Sequence, residues 1–117
     1  MDLENYQKQA KRTFLSKHSK ELDILHCLIG IQTEVGELVD AYKKNIYYGK
    51  ELDKTNVSEE FGDIHWYLAN LAELEGIDVG RSLQNNINKL KIRFPEKFSE
   101  QNAIVRNLDA ERVELEK

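Results

Sequence analysis

Hydrophobic residues recur along this chain at steps of three and four, the spacing that places side chains on one face of an α-helix. They form one broad stripe from about Ser19 to Tyr47, a second from Ser58 to Glu75 and a third from Asp78 to Phe94. The stripes consist of Leu28, Ile31, Val35, Leu38, Tyr42 and Ile46, then Phe61, Ile64, Leu68 and Leu71, and finally Val79, Leu83, Ile87, Leu90 and Phe94. Because no segment alternates with a period of two, the pattern predicts an all-α chain without a sheet.

Capping and breaking residues mark where these helices begin and end. Ser58 and Asp78 carry side-chain oxygens that suit helix N-caps, and Pro95 is expected to stop the fourth helix. The first of the four main helices is predicted at about residues 4–15, and polar residues 49–56 are predicted to form a loop. Within the charged tail, another short helix is predicted at residues 108–116.

Composition narrows the class of protein. A length of 117 residues suits one domain, and 40% hydrophobic with 32% charged residues excludes collagen-like and low-complexity chains. The net charge of −4 disfavours nucleic acid and anionic membranes as partners. The lone Cys27 permits no internal disulfide, no apolar run approaches the roughly 20 residues that span a bilayer, and no signal peptide is expected. We therefore expect a cytoplasmic protein.

Two acidic motifs share one pattern on the second and third predicted helices. Residues 34–38 (EVGEL) and 60–64 (EFGDI) each have a glycine just before the second acid. Acid pairs three residues apart share a helix face, but a chain with 21 acidic residues contains such pairs by chance. The glycines distinguish these two, because each costs about 1 kcal/mol relative to alanine in mid-helix. The repeat predicts that helix backbones, or a bound ligand, approach closely at Gly36 and Gly62.

On antiparallel helices the acids Glu34, Glu37, Glu60 and Asp63 would face a common space. Four carboxylates without a counter-charge repel one another and shift one another's protonation. A divalent cation would relieve the repulsion, and ligation by oxygen alone favours Mg²⁺ or Mn²⁺ over zinc. The alternative is a solvated acidic face without a metal.

Further polar side chains continue these faces. Lys44 follows Glu34 along its helix face, Tyr67 follows Glu60, and the fourth helix carries a polar stripe of Asn86, Lys89 and Arg93. Positively charged side chains and an amide beside a metal site would suit the binding of a polyphosphate. The alternative is an ordinary solvent-exposed polar face. The aromatic ring of Tyr67 or Trp66 would either stack on a base or belong to the core.

Other catalytic constellations are disfavoured. The chain has no glycine-rich loop ending in Lys-Ser or Lys-Thr, so a P-loop is excluded. Asp23-x-x-His26 matches half of a di-iron motif, but no second copy exists. His26 and Cys27 are adjacent on a helix and point in directions about 100° apart, so they do not form a nucleophile pair.

Taken together, the motifs resemble the MazG-like all-α nucleoside triphosphate pyrophosphohydrolases, in particular the short phage and bacterial members. The two acid pairs match the E-x-x-E…E-x-x-D core of that family, and segments 5–7, 37–44, 62–69 and 86–95 agree in order and spacing. Thr33 departs from the family pattern, where many members have a further Glu, and so does His65, where Leu is commoner. The change at Thr33 would remove an outer carboxylate and leave the core ligand set.

This resemblance implies Mg²⁺-dependent hydrolysis of an NTP or dNTP between the α- and β-phosphates, with release of the monophosphate and pyrophosphate. The four acids Glu34, Glu37, Glu60 and Asp63 would hold the metal. Glu37 and Glu60 would be the catalytic carboxylates, with Glu37 orienting or deprotonating the attacking water. The substrate-binding residues would be Lys44, Tyr67, Asn86, Lys89 and Arg93.

The resemblance also implies a four-helix-bundle-like catalytic domain at residues 1–98, completed by association into a homodimer or homotetramer. Residues 99–117 would form a tail at that interface. Two alternative functions stay open at this point. One is the related hydrolysis of phosphoribosyl-ATP, and the other is a non-catalytic helical module with a regulatory or assembly role.

Overall fold

The computed structural model describes all 117 residues and contains six helices and no strand. The helices are α1 (Leu3–Thr13), α2 (Lys20–Tyr48), α3 (Lys54–Glu75), α4 (Val79–Arg93), α5 (Glu100–Ile104) and α6 (Leu108–Leu115). The predicted all-α class is confirmed. None of the helices combines the length and the apolar character needed to cross a membrane.

Local capping chemistry explains most of the helix ends. Ser19 caps α2 by accepting the N–H of Leu22, and Asp78 caps α4 by accepting the N–H of Arg81, as predicted for Asp78. α4 ends at Arg93, two residues before Pro95. These ends depend on side chains adjacent to the helices, which is why the sequence pattern locates them.

The predicted start of α3 at Ser58 is wrong. The helix begins at Lys54, because the Asp53 carboxylate accepts the N–H groups of both Thr55 and Asn56 and caps it earlier. The predicted loop therefore shrinks to a short turn after Gly49, whose φ of 67° lies in the left-handed region that closes α2. A polar first turn on a solvated helix end resembles a loop in sequence, which accounts for the error.

The chain forms two compact units, Met1–Ile77 and Asp78–Lys117. In the first unit α2 and α3 run antiparallel: Lys44 near the end of α2 shares a groove with Asn56, whereas Gly30 meets Tyr67 further along α3. α1 packs on α3, where the Trp66 indole N–H donates to Thr13 at 2.7 Å. The first unit therefore holds both acidic motifs.

The second unit consists of α4, α5 and α6, with α6 packed on α4. α5 lies within residues 99–117, where a tail with one short helix at 108–116 was predicted, so it is an additional helix. The structure divides after Ile77, whereas the predicted catalytic domain extends to residue 98, and that domain assignment stays a prediction. The predicted placement of the tail at a subunit interface likewise stays a prediction.

Only small apolar side chains are buried within the chain. They are Ala10, Cys27, Ala69 and Ala72. Larger apolar side chains on α2 remain accessible, among them Val39 at 61% and Ile46 at 69% exposure. Exposure of this kind along a single long helix leaves an apolar surface without a partner in the chain.

Candidate active site

The structure brings the predicted acids of α2 and α3 together. Carboxylate oxygens of Glu34, Glu37 and Glu60 all lie within 4.8 Å of one another. A second group at the same spacing joins Glu60 to Asp63 and Glu59. Glu60 belongs to both groups and is only 5% exposed, so it stands at the centre of the cluster.

Proximity of like charges changes the protonation of this cluster. The pKa of Glu37 is raised chiefly by Glu60, whose carboxyl is close enough to share a proton with it. The pKa of Glu60 is raised chiefly by Glu34 in the same way, and burial adds to the effect. Glu37 and Glu60 therefore hold their protons more tightly than isolated carboxylates do, as expected for charges that repel.

Two carboxylate oxygens in the cluster lack any partner. Oε2 of Glu34 and Oε2 of Glu60 are buried and accept no hydrogen bond. Burying a carboxylate without compensation costs free energy, and a hard cation bound by oxygen atoms would remove that cost. The cluster thus fits Mg²⁺ or Mn²⁺, because every available ligand is a carboxylate oxygen.

An open groove adjoins the cluster on the face between α2 and α3. Lys44 lies in this groove and pairs with Asp40 at 2.7 Å, a contact that lowers the pKa of Asp40. The groove is lined by Thr33, Gly36, Glu37, Asp40, Ala41, Lys44, Asn56 and Glu60. Of these, Thr33, Asp40 and Asn56 were not predicted as site residues, although the spacing Asn56-x-x-x-Glu60 places both on one helix face.

The glycines of the two acidic motifs, Gly36 and Gly62, lack the close neighbouring helix backbone that the sequence analysis allowed for. A Cβ at Gly36 or Gly62 would meet nothing within 4 Å, so the interpretation that helix backbones approach there is wrong. The other interpretation, that a ligand approaches, stays a prediction, and Gly36 lines the open groove. The glycine with a close neighbour is Gly30, one turn before the first motif, where the ring of Tyr67 packs.

Tyr67 lies beside the acids. Burial raises the pKa of its phenol, and the nearby Glu34 and Asp63 carboxylates raise it further. The Tyr67 ring also meets the ring of Trp66 edge-on, with centroids 5.1 Å apart. Tyr67 is half-buried among aromatic rings and also adjoins the acid cluster. Its predicted role in contacting a base or sugar stays a prediction.

The sequence matches the MazG nucleotide pyrophosphohydrolase domain over residues 22–98. The chain belongs to this family. Comparisons with curated proteins and with solved structures returned no match. The MazG match covers both acidic motifs and α4 and ends before α5. MazG domains generally depend on a divalent metal, in agreement with the carboxylate cluster.

The remaining predicted site residues of the MazG domain lie on α4 in the second unit. Asn86, Lys89 and Arg93 are all half-buried. The guanidinium of Arg93 donates from Nε to Oε1 of Glu111 at 2.8 Å, a contact with α6. Their predicted role in binding substrate stays a prediction.

Proposed function

We propose that this MazG-domain protein hydrolyses a nucleoside or deoxynucleoside triphosphate between the α- and β-phosphates, releasing the monophosphate and pyrophosphate. Mg²⁺ would be the cofactor, with Mn²⁺ as a substitute. The observation that carries the proposal is the acid cluster around Glu60, in which two buried carboxylate oxygens have no partner. Membership of a nucleotide pyrophosphohydrolase family supports the reaction class.

In this proposal the four acids Glu34, Glu37, Glu60 and Asp63 hold the metal. A bound Mg²⁺ would neutralise charge on the phosphate oxygens and make a nearby water more acidic. Glu60, the buried centre of the cluster, would supply the ligand oxygen that both groups of acids share. Glu37 is exposed and its pKa is raised, so it suits the role of orienting the attacking water and accepting its proton.

We further propose that Lys44, Tyr67, Asn86, Lys89 and Arg93 bind the substrate. Lys44 is supported by its place in the groove beside Glu37 and Glu60. An ammonium group there would meet phosphate oxygens, and the Asp40 pair would hold it in place. Tyr67 is supported by its position beside Glu34 and Asp63, where sugar or base would approach.

We also propose that the protein acts as a homodimer or homotetramer. The support is the apolar face of α2 formed by Val35, Leu38, Val39, Tyr42, Ile46 and Tyr47, together with the lack of large buried apolar side chains in the chain. Burial of such a face stabilises an assembly by roughly 25 cal/mol per Å² of apolar surface. Light scattering at working concentration is expected to give the mass of two or four chains, and a strictly monomeric species would contradict this.

The reaction is tested by measuring pyrophosphate and monophosphate release from a panel of NTPs, dNTPs and modified nucleotides. We expect release with Mg²⁺ and none with EDTA, and the rank order of substrates identifies the base and sugar preference. Phosphoribosyl-ATP belongs in the panel, because preferential turnover of it would redirect the assignment. A folded protein that releases pyrophosphate from no substrate would contradict the proposal.

A further inference from the structure

Glu111 on α6 is an unusual carboxylate for a short terminal helix. Its side chain is 2% exposed, and the residue lies outside the segment that matches the MazG domain. Two arginines bind it, one at each oxygen. Arg93 donates from Nε to Oε1 at 2.8 Å, and Arg106 approaches Oε2 at 3.0 Å through Nη2.

The two arginines carry more positive charge than is needed to neutralise the Glu111 carboxylate. Burial alone would raise the pKa of Glu111, but the hydrogen bonds from Arg93 and Arg106 outweigh it and lower the pKa, so the carboxyl is ionised. One arginine would be sufficient to neutralise it. The group of three side chains therefore carries a net charge of about +1 at neutral pH. An uncompensated guanidinium in a partly buried place attracts an anion.

Arg93 is the member of the group that has donors to spare in a confined place. Its side chain is 17% exposed, against 38% for Arg106, and it hydrogen-bonds to no residue other than Glu111. A guanidinium has five N–H donors in a fixed plane, so one carboxylate oxygen leaves several of them unused. The ring of Phe94, 5.7 Å from the guanidinium carbon, restricts the group further.

We propose that Glu111 is a positioning residue, which anchors Arg93 through Nε so that the remaining donors of the guanidinium are oriented to bind a phosphate oxyanion. The inference rests on the proposed function, in which Arg93 binds the polyphosphate. It adds that a helix beyond the MazG match is part of the substrate-binding apparatus. Holding a long side chain in place before binding removes an entropy cost of about 0.7–1.4 kcal/mol, which corresponds to a factor of roughly three to ten in affinity.

The test uses the 117-residue chain and the variants Glu111→Ala and Glu111→Gln, the second of which preserves side-chain volume. Both are expected to raise KM for the best nucleotide about three- to tenfold with little change in kcat. Arg106→Lys is the matched control, because it alters the other ion pair of Glu111 while it keeps the net charge of the group and the anchor of Arg93. It is expected to change KM less than about twofold.

A double-mutant cycle separates positioning from a structural role. Arg93→Ala is expected to raise KM, and adding Glu111→Ala to it is expected to change KM no further, since Glu111 acts through Arg93. Thermal melts establish that each variant is folded at the assay temperature. A purely structural Glu111 would lower the melting temperature and leave KM unchanged, and that result would overturn the inference.

Binding of inorganic pyrophosphate, measured by calorimetry with Mg²⁺ present, tests the positioning role of Glu111 without requiring that the protein hydrolyse a nucleotide. If the wild-type protein hydrolyses no nucleotide, the proposed function fails. Equal weakening of pyrophosphate binding by Arg93→Ala and Glu111→Ala would still support the positioning role. If hydrolysis proceeds and both variants leave KM and pyrophosphate affinity unchanged, the positioning role is refuted and the reaction stands.

Discussion

Gly30 on α2 and Tyr67 on α3 are in direct contact, and a Cβ at Gly30 would overlap Cε1 of the Tyr67 ring. No side chain larger than hydrogen fits there while the ring keeps its place. The contact is adjacent to the acid cluster, since Glu34 lies one turn after Gly30 and Asp63 one turn before Tyr67. Gly30 therefore decides where the phenol of Tyr67 lies relative to the carboxylates.

We expect Gly30→Ala to displace the Tyr67 ring and to lower the free energy of unfolding by about 1–3 kcal/mol relative to Gly62→Ala. The ring has little room to move, because the rings of His26 and Trp66 lie 6.0 and 5.1 Å from it. Urea denaturation measures the difference. Gly62→Ala is the matched control, because a Cβ at Gly62 meets nothing within 4 Å.

Removal of the Tyr67 ring tests whether its contact with Gly30 causes the loss of stability in Gly30→Ala. In a Tyr67→Ala background, Gly30→Ala is expected to carry no such penalty, because the space above Gly30 is then free. A Gly30→Ala protein as stable as Gly62→Ala would show that the contact does not constrain the fold.

Gly36→Ala tests whether a ligand approaches the groove at this glycine. Because a Cβ there meets no atom of the chain, we expect the variant to be more stable by up to about 1 kcal/mol. We also expect a raised KM, since Gly36 lines the groove beside Glu37. An unaltered KM in a stabilised Gly36→Ala protein would remove the reason for a glycine at this position.

Glu60→Gln is expected to reduce turnover by at least about 100-fold, since even outer partners of a metal cost 10- to 100-fold when removed. The fold is expected to survive, because the change removes one of several mutually repelling charges. Steady-state kinetics measure the loss of turnover, and calorimetric titration with Mg²⁺ measures the loss of metal binding. Glu75→Gln, an exposed position at the end of the same helix, is the control. A Glu60→Gln protein with full activity would refute the metal assignment.

The metal-free protein is expected to lose stability as the pH rises from about 4.5 towards neutrality. The pKa values of Glu37 and Glu60 are raised from 4.5 in the folded state, so the native protein keeps protons that the unfolded chain has released. The free energy of unfolding therefore falls with rising pH in that window. Saturating Mg²⁺ is expected to reverse the loss by binding the native state alone.

The contribution of Glu37 and Glu60 is the difference in the free energy of unfolding between the wild-type protein and a Glu37→Gln/Glu60→Gln double variant. The pKa of Asp40 and that of Glu111 are lowered in the fold, so these groups add stability that is lost as the pH falls, the opposite sign. They are present in both proteins and cancel in the difference. A difference in unfolding free energy that does not vary with pH would contradict the coupling of the two glutamates.

The amino-acid sequence alone predicted the helical class, the cap at Asp78 and the end of α4 before Pro95. It also predicted four of the five clustered acids and missed Glu59. Each of these follows from local rules, because helix periodicity, capping and the three-residue spacing of the acids involve neighbours within one or two turns. The repeated motif on consecutive helices extended that local information to the pairing of α2 with α3.

Helix packing brings a close neighbour to Gly30 and not to Gly36 or Gly62, and it pairs Arg93 with Glu111. The start of α3 at Asp53 instead of Ser58 is a local matter, because the Asp53 carboxylate accepts the N–H groups of Thr55 and Asn56. Both residues are competent caps, so the sequence pattern did not choose between them. Contacts between residues 18 or 37 positions apart depend on how whole helices pack, and no spacing within a single helix encodes them.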